Sequence, residues 1–68
     1  MTIVVNGEPR TLRPGLTVRG LLDELDVPGG ATGIAIAVDA EVVPRGEWDT
    51  TELDEGARVE ILRAIQGG

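Results

Sequence analysis

The sequence contains no cysteine, no histidine, no serine and no lysine, and its one aromatic residue is Trp48. Each absence removes a class of chemistry. Without cysteine there are no disulfides, thiolate zinc sites or thiol nucleophiles, and a reducing, cytoplasmic setting is expected. Without histidine the chain lacks the one side chain that titrates near neutral pH unaided. The usual hydroxyl and thiol triads are therefore out of reach, and the threonines have no imidazole to activate them. Long apolar runs are missing as well. Nothing approaches the ~18 residues of a membrane span. The opening MTIVVNG has no basic region ahead of an apolar stretch, so no signal peptide is expected.

What remains is a chain of 68 residues with a net charge of -6, its six cations all arginine. That length suits one domain with a small core, because a domain near this size buries only ~60% of the surface its unfolded chain exposes. The acidity argues against nucleic acid, whose phosphates repel it, and suits steering toward a basic partner or simple solubility.

The β-branched run TIVV leads into Asn6-Gly7, the strongest short hairpin signal, since both turn residues tolerate positive φ. A second strand is predicted from Glu8 to Arg13, with Pro9 near the turn or on an edge because it cannot donate to a ladder. Pro14-Gly15 ends it. Thr17 is placed to cap a helix whose apolar stripe is Val18, Leu21, Leu22 and Leu25, at the spacing of one helix face. Gly20 lies inside that helix at a cost of roughly 1 kcal/mol against alanine, which a close approach to the sheet would explain. Residues 26–33 hold Pro28, Gly29, Gly30 and Gly33 and read as a loop. Ile34, Ile36 and Val38 alternate with Ala35 and Ala37, so the first three face the core. Asp39-Ala40 turns the chain into a short strand over 41–43, and Pro44 ends it. Residues 45–57 read as irregular, with Trp48 closing the edge of the core and Glu55-Gly56 forming a turn. The last strand runs from Arg58 to about Ala64, with Val59 and Ile61 on one face and Leu62 and Ala64 on the other. Strand, strand, helix, strand, strand, strand is the order of an α+β, ubiquitin-like β-grasp: a mixed sheet of four to five strands with one main helix packed across one face. Residues 1–64 form this single domain and residues 65–68 a flexible tail.

Few groups in this chain offer chemistry. The twelve carboxylates are spread along strands and turns as on a solvated surface rather than paired. Gly29, Gly30 and Gly33 lack the full phosphate-binding fingerprint and are not followed by a helix. The distinctive group is the carboxylate of Gly68. Gly67-Gly68 directly after the last strand gives a slender extension that, from Ile65 onward, reaches on the order of 10–14 Å. A carboxylate is a poor electrophile, but coupling to AMP turns it into a mixed anhydride that a sulfur or nitrogen nucleophile can attack.

The segments VVNGEP, TVRGLLDELDV, IAVDAEVVPRGEW and LDEGARVEILRAIQGG, in this order and spacing over nearly the whole chain, closely resemble the sulfur-carrier proteins of the thiamine pathway, the ThiS family. The resemblance implies a carrier that is not itself an enzyme and binds no cofactor. A ThiF-like adenylating enzyme of the ubiquitin-activating type would use ATP to adenylate Gly68. A cysteine desulfurase or rhodanese-type donor would supply sulfur for a thiocarboxylate, and a ThiG-like thiazole synthase would take that sulfur into the thiazole ring. Gln66 and Gly67 would enter the partner active sites. Two turns depart from the family's habit: Asp39-Ala40 stands where Asn-Gly is common, and Gly56-Ala57 where Gly-Asp is.

Ala35 and Ala37, with Leu62 and Ala64, are expected to form a smooth apolar area on the face opposite the helix. Exposed apolar patches often mark interaction sites. This face is expected to dock the adenylating enzyme and thiazole synthase, with Arg63, Ile65 and Gln66 guiding the tail. Two alternatives share the fold and the Gly-Gly end: the small subunit of molybdopterin synthase, which usually lacks the VNG opening and the VVPR..W segment, and a ubiquitin-like protein modifier.

Overall fold

The computed structural model describes residues 1–27 and 33–63. Residues 28–32, in the predicted glycine loop, and Ala64, Ile65, Gln66, Gly67 and Gly68 lie outside the described residues. Strands β1 (Thr2–Val5) and β2 (Glu8–Thr11) form the first hairpin, followed by helix α1 (Val18–Glu24). Strands β3 (Ile34–Val38) and β4 (Glu41–Val43) form the second hairpin. A short 3-10 turn, Arg45–Glu47, then precedes β5 (Arg58–Arg63). The five strands make one sheet in the order β2-β1-β5-β3-β4. Strand β5 is parallel to β1 and antiparallel to β3, so the last strand in sequence is the middle one in space.

Local chemistry explains the elements. Thr17 caps α1, its hydroxyl accepting from the Gly20 N–H at 3.1 Å. At the other end the Val27 N–H reaches the Leu22 carbonyl and the Asp26 N–H reaches that of Asp23, with Asp26 at φ +56°. This is the Schellman closure, made with an aspartate where glycine is usual. Val18, Leu21 and Leu22 are buried against the sheet, and Leu25 is half-buried. Gly20 makes room for a different neighbour from the one its sequence context suggested. A Cβ there would stand 2.7 Å from Cδ1 of Leu16, a buried side chain folded over the helix start. Strand β2 is shorter than the predicted 8–13: it ends at Thr11, opposite Thr2, with Leu12 still exchanging backbone bonds with Met1 and Pro14 following soon after. Pro9 sits in this edge strand opposite Val4, where its missing N–H faces away from the ladder.

The core lies between α1 and one face of the sheet. Ile3, Val5, Ile36 and Val59 come from the strands and Val18, Leu21 and Leu22 from the helix. The stretch read as irregular completes it with Trp48, Leu53 and Ala57. Trp48 is 1% exposed, and its indole N–H donates to the Val43 carbonyl at 3.0 Å. The guanidinium groups of Arg45 and Arg19 lie 4.5 and 5.5 Å from its ring centroid, over the π face. Backbone bonds tie this stretch to the helix start: Val18 N–H to the Thr51 carbonyl, Arg19 N–H to that of Trp48, and Leu53 N–H to that of Leu16.

Both hairpin turns use left-handed backbone, Asn6-Gly7 at φ +49° and +83° and Asp39-Ala40 at +50° and +71°. Alanine pays for that conformation through its Cβ, by roughly 1–2 kcal/mol, where glycine does not. Part of the gain from removing it is offset by the larger entropy of an unfolded chain with one more glycine. Ala40→Gly is therefore expected to stabilise the domain by about 1 kcal/mol, read as a higher urea midpoint at unchanged m-value.

Candidate functional site

In an antiparallel ladder, directly opposed residues point to the same side of the sheet. Ala35 opposes Leu62, and Ala37 opposes both Glu60 on β5 and Val42 on β4. With Ile36 and Val59 buried under the helix, all five of these lie on the helix-free face. Leu62 is 57% exposed and Val42 is 74% exposed, and these are the large exposed hydrophobic residues among the described ones. The expected set is thus brought together in part: Ala35, Ala37 and Leu62 share one apolar strip on the helix-free face.

 Val42 extends that strip onto the neighbouring strand. It was not singled out from the sequence, although alternation within Glu41-Val42-Val43, with Val43 buried, is the signal that would have found it.

The remaining expected residues separate. Arg63 follows Leu62 and so turns to the helix side of the sheet, opposite the apolar strip. There it lines a cleft of about 630 Å³ beside Glu8, Arg10, Asp26 and Ile61. Ala64, Ile65, Gln66, Gly67 and Gly68 lie outside the described residues, as do Gly29 and Gly30. Among the described residues no cluster of carboxylates is arranged to hold a metal ion. No helix there is long and apolar enough to cross a membrane.

The turns that bracket β5 hold it at two points. Near its start, Oδ1 of Asp39 accepts from the Arg58 N–H at 3.0 Å. Further along, the side chain of Asn6 bonds both backbone groups of Ile61: Oδ1 accepts from its N–H at 2.8 Å, and Nδ2 donates to its carbonyl at 3.3 Å. Only one orientation of the carboxamide satisfies both. The second role of Asn6 was not legible beneath its turn signal.

A single helix across a five-stranded mixed sheet, with the last strand in the middle, defines a ubiquitin-like β-grasp protein. The solved ThiS structure from Geobacter metallireducens, described as a thiamine biosynthesis protein, superposes with a TM-score of 0.85 at 34% identity, covering all of both chains. A match to the ThiS family spans residues 3–68, and the chain belongs to that family. It is 31% identical to the sulfur carrier protein ThiS of Escherichia coli over the full length of both. It is also 34% identical to part of a thiazole synthase from Paramagnetospirillum magneticum, of whose length it spans 20%.

Proposed function

We propose that this chain is a sulfur carrier of thiamine biosynthesis, with residues 1–64 as the folded body and residues 65–68 as the tail that carries the cargo. The observation that carries the reading is a family match running through Gly67 and Gly68. In this reading the Gly68 carboxylate attacks the α-phosphorus of ATP in a ThiF-like adenylating enzyme and releases pyrophosphate. The cysteine persulfide of a desulfurase or rhodanese-type donor then attacks the acyl carbon, displacing AMP and forming an acyl disulfide. A second thiol attacks the donor cysteine sulfur, forms a disulfide with it and releases the thiocarboxylate. The body is not an enzyme and binds no cofactor; ATP belongs to the partner. Similarity to a stretch within a chain named thiazole synthase supports such an enzyme as the sulfur acceptor.

The test is to incubate the protein with ATP, the adenylating enzyme and a sulfur source, and to measure intact mass. The expected product is heavier by one sulfur-for-oxygen exchange. An unchanged mass under conditions that load a known ThiS protein would reject the reading.

The strip of Leu62, Ala35, Ala37 and Val42 is the docking face in this scheme, with Gln66 and Gly67 entering the partner active site beyond it. Leu62→Asp puts a charge on that strip without touching the core, so the urea midpoint is expected to hold. KM for the carrier in the adenylation assay is expected to rise about tenfold or more, the scale of losing one central interface side chain. An unchanged KM would remove this face from the interface.

A further inference from the structure

Asn6 carries more than a hairpin turn requires. The parallel pairing of β1 with β5 joins Val4 to Arg58 and Val5 to Val59, and the Asn6 N–H adds a bond to the Val59 carbonyl at 2.9 Å. The main chain then turns away into β2 at φ +49°. At that point the Asn6 carboxamide takes the place of the next peptide group, pairing with both the N–H and the carbonyl of Ile61. The β1 side of the ladder thus extends one step further toward the tail than the β1 backbone reaches. Beyond it, Leu62 and Arg63 pair with Ala35 and Ile34 of β3 on the other side. Among the described residues, Ile61 is the last position of β5 held from both sides.

The residue choice fits this second task. Glycine would make the turn with less backbone cost but has no side chain to offer. Aspartate tolerates the left-handed region but supplies only acceptors, one of which would face the Ile61 carbonyl. Asparagine combines that tolerance with one donor and one acceptor in a single plane.

We infer that Asn6 is a positioning residue for the tail: by holding Ile61 it fixes the direction in which the chain leaves the body toward Gly68. This rests on the carrier reading above. Gly68 stands seven positions beyond Ile61, up to about 25 Å of fully extended chain, so loosening the point of departure at Ile61 widens the space that the reacting carboxylate must search. The apolar docking strip lies on the other face of the sheet from Val5, and the Asn6 carboxamide bonds the Ile61 backbone and none of the strip's side chains. Docking and tail delivery are therefore separable: the strip governs KM, and the clamp governs the rate once the body is bound.

The experiment compares the unsubstituted protein, Asn6→Gly and Asn6→Asp. Glycine preserves the turn and removes the clamp; aspartate keeps the bond from the Ile61 N–H alone. Pyrophosphate release is followed in single turnovers with the adenylating enzyme, together with amide hydrogen exchange of the free carrier. In Asn6→Gly, exchange at Ile61 is expected to accelerate while the amides of Leu21 and Leu22 keep their protection. The single-turnover rate constant is expected to fall about tenfold or more, since an error of ~1 Å in placing a reacting group can cost ~10²-fold. KM should stay within about twofold, and Asn6→Asp should lie between the two. A rate constant that stays unchanged while Ile61 exchange accelerates would overturn the inference. So would a loss appearing equally in KM, or one matched by loss of protection throughout the helix, because each marks a structural role alone. If the unsubstituted protein releases no pyrophosphate, the carrier reading itself fails, and the positioning role falls with it.

Discussion

Deleting Gly68 is expected to abolish sulfur loading while leaving the folded body as stable as before. The shortened chain still ends in a glycine carboxylate, so the intrinsic chemistry of the end group is preserved and only its reach is changed. One residue of extended chain is about 3.3–3.6 Å. Adenylation needs the attacking oxygen within about 3–3.5 Å of the α-phosphorus and in line with the departing pyrophosphate, so retreat by a full residue takes it out of range. In the proposed scheme, restoring contact would require the body to shift on the apolar strip of Leu62 and Val42. The expected rate is below about one hundredth of the unsubstituted value, with no thiocarboxylate in the intact-mass spectrum. The urea midpoint should not move, because β5 ends at Arg63 and Gly68 follows it by five positions. Loading at a normal rate would show that the tail finds its target without a fixed length, and would displace Gly68 as the modified residue.

Replacing Trp48 by alanine has the largest expected effect on the fold. The side chain is 1% exposed, and it is the largest of the fully buried ones. Removing a buried aromatic side chain of this kind costs about 3–5 kcal/mol in lost burial and residual cavity. Two further losses add to this. The Val43 carbonyl loses its indole donor, and the guanidinium groups of Arg19 and Arg45 lose the ring they cover. At about 0.05–0.15 kcal/mol per residue, a domain of this length holds roughly 3–10 kcal/mol in total. Trp48→Ala is therefore expected to leave the protein largely unfolded at 37 °C, seen as loss of the far-UV circular dichroism of the sheet and helix. Trp48→Phe fills much of the space without the N–H and should retain the fold at a lower midpoint. A cooperative unfolding transition for the alanine variant within about 1 kcal/mol of the parent would remove Trp48 from the core's foundations.

The two variants also mark the limits of what could be read along the chain. The strands and helix announce themselves through period: Val18, Leu21 and Leu22 at helical spacing, and Ile34, Ile36 and Val38 at every second residue. Asn6-Gly7 and Asp39 mark the turns through their tolerance of left-handed backbone, while Ala40 takes that conformation at a cost. Residues 45–57 have no period, so nothing in the sequence says that Leu53 and Ala57 are buried or that residues 51–53 run beside residues 16–18. That packing is decided by contacts distant in sequence, as in the Thr17–Glu52 bridge. The apolar strip was legible where a strand was long enough to establish alternation, which is why Ala35, Ala37 and Leu62 were found and Val42, in a three-residue strand, was not. Arg63 was expected to guide the tail; its place on the helix side of the sheet follows from the same alternation that puts Leu62 on the other. The carboxamide clamp of Asn6 was hidden because a turn signal already accounted for the residue.

The position of β5 has a consequence for how the protein is made. The sheet has no centre until residues 58–63 have been synthesised, because β1 and β3 meet only through that strand. Its pairing with β1 joins residues 54 positions apart, Val4 with Arg58 and Val5 with Val59. Chains grow from the N-terminus, so the two hairpins and the helix emerge from the ribosome before the piece that unites them. A product of premature termination would lack the central strand and remain open to proteolysis. Translation thus acts as a filter: the body closes only around a chain that has been carried through residues 58–63.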